Sequence, residues 1–182
     1  PSRQTYTNIG LSYYYAGNFE DASEMQRKAL EFAPDDHRVW GRLAESLRFV
    51  PGKEEESLSA YQKAILLAEG NLEINNSDWR TRGLLATYLV NSNRETDGIQ
   101  QANRAVLESG HSAEALYYQS LVRLISGDTN GAIDAIEQTV KRDAQYQQFI
   151  ASDPDLIKLK GDERFDRLIF GIDESKTIAT EK

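Results

Sequence analysis

The sequence predicts an all-α solenoid, about four helix-turn-helix pairs stacked in chain order and closed by a helical C-terminal cap. Three observations carry this expectation. Small and aromatic residues return together with a period of about 34 residues, the mark of a stacked helical unit. Within each period apolar residues fall three and four apart, which is the spacing of one helix face rather than of a strand. Near the end of the chain, acidic residues stand with Pro and Gly where short helices would start and stop.

The first pair spans residues 3–36 and carries Tyr6, Ile9, Gly10, Tyr13, Gly17, Phe19, Ala22, Ala29 and Pro34. Gly10 and Ala22 let two antiparallel backbones come close, and Ala29 leaves room for the first helix of the next pair. Tyr6, Ile9 and Tyr13 share one face and are expected to be buried. Gly17 and Asn18 make the turn, and Pro34 stops the second helix. The second pair, residues 37–74, places Trp40, Leu43, Ala44 and Leu47 on its first helix and Tyr61 and Ala64 on its second. Its turn, VPGK, is a residue longer. Leu67, Ala68 and Ile74 continue the helical spacing, which predicts one extended helix over about 53–74, acidic in its first turn, with Gly70 as a candidate kink.

The third pair, residues 77–110, repeats the pattern through Leu85, Ala86, Leu89, Gly98, Ala102 and Ala105. Asn93 takes the turn position, where it tolerates a left-handed backbone as glycine does. The fourth, residues 113–142, does so through Leu116, Ser120, Gly127, Ala132, Ile136 and Thr139, with Arg123 on a face expected to be partly exposed.

This combination of small residues and aromatics at fixed offsets resembles the tetratricopeptide repeat family. The resemblance implies a right-handed superhelical α-solenoid whose first helices line a concave groove. By that geometry the groove would hold Gln4, Thr7, Leu11, Tyr14 and Tyr15 from the first pair and Arg38, Glu45, Arg48 and Phe49 from the second. Arg80, Thr87, Val90 and Asn91 would come from the third, and Glu114, Tyr117, Leu121, Leu124 and Ile125 from the fourth. Aromatics and arginines are the types enriched at interface hot spots. Some family members grip a partner's terminal carboxylate with Lys, Asn and Arg. The corresponding positions here hold Thr7, Leu11, Arg42, Arg80 and Leu84, of which Arg80 alone matches, so that clamp is not expected.

A stack leaves an apolar face bare at each end and needs atypical terminal units. Residues 143–172 are therefore expected to form capping helices and 173–182 a flexible tail. Residues 144–151 can make a short helix, after which Asp153 stands at an N-cap and Pro154 at the first helical position. Gly161 ends that turn, Asp162 caps again, and Phe165, Leu168 and Ile169 form a second apolar face. The carboxylates are read as exposed caps favoured by the helix dipole. A calcium loop is excluded, because Ile157 and Lys158 occupy the fifth and sixth places counted from Asp153.

Composition removes most chemistry. The balance of 21 Lys+Arg against 29 Asp+Glu, net −8, argues against a nucleic-acid partner, and the absence of cysteine removes disulfides, thiolate metal sites and a thiol nucleophile. No apolar run reaches the roughly 18 residues of a membrane span, so no direct membrane insertion is expected. His37 and His111 fall between pairs, are read as solvent-exposed linker residues, and have no companion ligands. No catalytic, metal or cofactor site is expected, and the chain is read as a nonenzymatic binder of a protein or peptide. The alternative is a homodimerisation domain, suggested by the uncapped first helix with its tyrosines from Tyr6 to Tyr15.

The order of regular pair, overlong helix, two further pairs and a closing DPDL…GDERF…L is similar to the C-terminal tetratricopeptide segment of bacterial signalling proteins, namely serine/threonine protein kinases, adenylate cyclases and winged-helix regulators. That resemblance implies an effector domain, and often a membrane span, ahead of the repeats. Cytoplasmic and extracytoplasmic placement both stay open. The opening Pro1 is read in the same sense, as the start of a segment of a longer protein.

Overall fold

The computed structural model describes residues 2–171; the expected tail at 173–182 lies outside the described residues. All described regular structure is helical. Four hairpins follow one another: α1 (Arg3–Tyr15) with α2 (Phe19–Leu30), α3 (His37–Leu47) with α4 (Glu54–Ile74), α5 (Trp79–Val90) with α6 (Glu95–Glu108), and α7 (Ala113–Ile125) with α8 (Thr129–Arg142). The cap consists of α9 (Tyr146–Ser152), a 3₁₀ turn (Leu156–Leu159) and α10 (Glu163–Phe170). Each second helix packs on its own first helix and on the first helix of the next pair, so the fold is a solenoid of helical pairs.

Local chemistry sets the boundaries. Ser2 closes a capping box at α1, and the side chains of Asp36, Asp78, Ser112, Asp128 and Asp162 accept hydrogen bonds from first-turn amides of α3, α5, α7, α8 and α10. Inside the hairpins, Asn93 adopts in the third turn the left-handed backbone (φ 60°) that Gly17, Gly52 and Gly127 adopt in the other three. A side chain at Gly41 would collide with the Tyr88 ring of α5, and one at Gly83 with the Tyr118 ring of α7. α3 with α5, and α5 with α7, thus interlock through a glycine on one and a tyrosine on the next.

The largest apolar cluster joins α3, α4 and α5 around Tyr61, Leu72, Leu85 and Tyr88. A second joins α8 to the cap through Ile133, Ile136, Ile150, Leu156, Phe165 and Ile169, with Tyr117, Leu121 and Leu124 of α7 against it. α4 runs through Gly70 without a break.

Three expectations need correction. The face of Tyr6, Ile9 and Tyr13 is not buried. Ile9 is 41 % exposed, and α1 instead buries Thr7, Gly10 and Tyr14. Gly10 faces α2, whereas no helix covers the Ile9 side among the described residues. His37 is buried, not a solvent-exposed linker, because Asp36 caps α3 and sets His37 in its first turn, with Nδ1 3.4 Å from Tyr88 Oη and Nε2 3.3 Å from Thr81 Oγ1. The cap carboxylates Asp153 and Asp155 are 3 % and 5 % exposed, not open to solvent.

Candidate functional site

First helices α1, α3, α5 and α7 enclose a concave cavity of about 1060 Å³, and cap residues Phe149, Asp153 and Asp155 complete its wall. The cavity has two ends. At one, the helix starts bring Asp36, Arg38, Asp78, Arg80 and Glu114 together. Asp36 accepts from Arg38 (2.9 Å) and also pairs with Arg3. Burial works against its charge, but the Arg38 contacts outweigh it and hold the carboxyl at about 2. Arg80 lies over the Trp79 ring, 4.2 Å from its centre, and donates to Glu114 (2.9 Å).

At the other end the cap folds into the concavity. Tyr117 Oη donates to Asp153 Oδ2 (2.5 Å), while Asp153 Oδ1 accepts from the amides of Asp155 and Leu156. Arg48, at the end of α3, donates from both terminal nitrogens to Asp155 (3.0 and 2.5 Å). Burial alone would raise both carboxyls. It does raise Asp153, with Asp155 adding repulsion, but Arg48 and Lys158 reverse the effect at Asp155 and lower it.

Glu45 and Arg42 stand between these ends. Neither side chain has a hydrogen bond or ion pair among the described residues. Burial raises Glu45 to about 7, with Asp153 and Asp155 adding to the shift and Arg48 and Arg42 opposing it. Tyr15, beside them, is raised by burial to about 12.

Thirteen of the eighteen residues assigned to the groove line this cavity; Gln4, Thr7, Phe49, Val90 and Leu124 do not. Phe49 stacks on Phe19 with ring centres 4.4 Å apart, and Leu124 packs against the cap. Several of the thirteen have no free surface to offer. Tyr14 is 9 % exposed among Tyr15, Phe19 and Phe49, Thr87 donates back to Leu84 O, and Asn91 donates to Thr87 O. Tyr117 and Leu121 are engaged by the cap. Arg38, Arg48 and Arg80 are ion-paired, the last with Glu114, which among the polar side chains leaves Tyr15 and Glu45 uncommitted. Of the others outside it, Val90 is in the core and Thr7 is buried. Sequence reasoning missed the cap carboxylates and the Tyr88 and Tyr118 walls. The DPD run was itself the available signal, since two carboxylates flanking a helix start can serve a neighbour as well as the helix. Among the described residues no group of three or more His, Asp or Glu is placed to hold a metal ion, and no helix is long and apolar enough to cross a membrane.

A family model for the tetratricopeptide repeat matches residues 4–36. Comparison with curated proteins gives no match. Among solved structures, PilF of Pseudomonas aeruginosa is similar with a TM-score of 0.51 and 20 % identity, over 93 % of this chain and 75 % of that one. MamA of Desulfovibrio magneticus RS-1 follows at 0.47 and 14 %, over 99 % and 97 %. YrrB, a repeat protein with an unusual peptide-binding site, gives 0.41 and 14 %, over 78 % and 86 %. At these identities the likeness is one of fold.

Proposed function

From a chain that carries the tetratricopeptide repeat and stacks further helical pairs on it, we propose a noncatalytic interaction module whose groove takes an extended segment of a partner protein. One observation carries this reading: Arg42 and Glu45 face an open cavity of about 1060 Å³ without partners among the described residues. Two ionisable groups that face a concavity without partners are open to a bound segment that supplies their counter-groups. Arg80, exposed over Trp79, extends the polar contacts towards the mouth. The order of the pairs and the DPDL…GDERF close support placing the module in a larger bacterial signalling protein, as its sensory or scaffolding part.

The test uses Arg42→Ala with Glu45→Gln, because Tyr14, Phe49 and Tyr117 serve the fold and their removal would confound it. Proteins retained by the immobilised parent chain are expected to be lost by this variant at unchanged helicity. Equal retention by both overturns the groove as the binding site.

A second reading, self-association, is favoured by a separate patch. Ile9 is 41 % and Phe32 55 % exposed, and Tyr6 packs on Phe32 with ring centres 6.0 Å apart, on a side of α1 and α2 that no described helix covers. A molar mass by light scattering that stays monomeric over a wide concentration range removes it.

A further inference from the structure

The cap and the second repeat meet across the groove through a small set of side chains. On one side stand Arg48 and Phe49, with the guanidinium 4.5 Å from the ring centre. On the other stand Asp155, which pairs with Arg48 at 3.0 and 2.5 Å, and Lys158, which binds Asp155 at 2.9 Å and lies 5.6 Å from the Phe49 ring centre. Arg48 and Asp155 are 107 residues apart in sequence. Among the described residues no apolar cluster spans this gap. The α3–α5 core and the core of α8 with the cap share no residue, and the chain connects them the long way round, through α5, α6 and α7.

The pairing is also incompletely satisfied. Arg48 Nε and the Tyr61 hydroxyl are buried beside each other, and neither makes a well-formed hydrogen bond. A buried ion pair gains stability only when its remaining polar groups are bonded, so this junction is a weak one for its degree of burial. In a solenoid each unit touches only its neighbours, and curvature is set by small rotations between them. A polar contact between distant units is therefore a constraint that can part while both cores stay intact.

Resting on the groove as the binding site, we propose that Arg48 and Phe49 with Asp155 and Lys158 form a clasp that holds the solenoid curled over one end of the groove, and that parting of the clasp widens the groove for a partner segment. Closed, it covers the Tyr15 side of the groove and leaves the end at Arg38 and Arg80 as the way in, while Tyr117 stays with the cap in either state. Open, it exposes the Tyr15 side as well.

The chain lacks cysteine, so two introduced thiols label cleanly. Spin labels at Asp21→Cys on α2 and Arg167→Cys on α10, both exposed positions, report the span across the groove by pulsed electron resonance. The parent should give one narrow distance distribution. Arg48→Gln, shorter and uncharged, and Asp155→Asn, near-isosteric, lie on opposite sides of the clasp and should each shift it to longer distance, and the double variant should open no further than either alone, because both remove one contact. Hydroxyl-radical footprinting of the same proteins should oxidise Tyr15 several-fold faster in the variants, with Tyr117, held by Asp153, as the unchanged internal reference, at unchanged helicity. Unchanged distances and labelling overturn the clasp, as do additive shifts, which would mark two independent losses. Should one variant lose helicity, the other decides alone. Neither readout involves a partner, so a failed clasp leaves the groove-binding reading standing, and a failed capture leaves the clasp standing.

Discussion

Glu45 gives the groove a pH signature. Its carboxyl is raised to about 7 by burial, reinforced by Asp153 and Asp155 from the cap and resisted by Arg48 and Arg42 on its own helix and its end. Between the ordinary carboxylate range and about 7 the folded chain holds a proton that the unfolded chain has released, so stability falls as pH rises through that window. The full shift corresponds to at most about 3 kcal/mol, and partial solvent access reduces it. Glu45→Gln should therefore raise the melting temperature by about 5 °C at pH 8 and by much less at pH 5, as read by circular dichroism; parallel melting curves for parent and variant would show that the site is wetter than its geometry implies. Asp155 has the opposite sign. Arg48 and Lys158 lower it, so its contribution is present above the ordinary carboxylate range and lost only in stronger acid. Little of this was legible in the sequence. Periodicity puts Glu45 and Arg48 on one helix face, but not the carboxylates more than a hundred residues away that complete their surroundings. The family resemblance likewise assigned Tyr14 and Tyr117 to the groove without revealing that Tyr14 is enclosed by Tyr15, Phe19 and Phe49 and that Tyr117 is taken up by Asp153.

Helices and turns were the legible part, because their determinants are local. Asn93 in a left-handed turn, the aspartate and serine caps, and the long α4 all follow from residues within a few positions of the feature they set. What spacing along one helix cannot give is the depth of contact between helices, and two glycines make the difference measurable. A methyl group at Gly70, within α4, meets nothing, whereas at Gly41, within α3, it meets the Tyr88 ring. Gly70→Ala should stabilise the chain by about 0.5–1 kcal/mol, the helix-propensity gain alone. Gly41→Ala collects the same gain but forces apart two helices at a ring that is 1 % exposed, and overpacking of that kind costs about 1–3 kcal/mol, so the net effect is a loss. Thermal melts of the two variants should move in opposite directions. A gain at both sites would mean that Tyr88 can shift and that the glycine–tyrosine interlock does not set the spacing between pairs. Ile74 makes the complementary point, since it extends the helical pattern as expected yet stands 88 % exposed on a last turn with no neighbour.

At the scale of the molecule, the cap has two jobs that can be separated. Ile150, Leu156 and Phe165 are fully enclosed against α7 and α8, with Leu159 and Ile169 nearly so. Burial of such side chains is worth about 1.5–3 kcal/mol each, so together they approach the whole stability of an ordinary domain. Across the groove, by contrast, the cap meets the end of α3 through the Arg48–Asp155 ion pair and the Lys158 ammonium over the Phe49 ring. A chain ended after Arg142 therefore loses a large apolar term at one end and a small polar one in the middle. If stability in the solenoid is a sum of neighbour contacts, amide-exchange protection should collapse in α7 and α8, weaken in α5 and α6, and persist in α3 and α4, whose core around Tyr61 and Tyr88 contains no cap residue. Exchange measured by mass spectrometry distinguishes the alternatives. Uniform loss across all four pairs would make the array one cooperative unit that the cap governs as a whole. Retained protection in α7 would instead mean that the repeats support themselves, and that the cap's main contribution is the wall it adds to the groove.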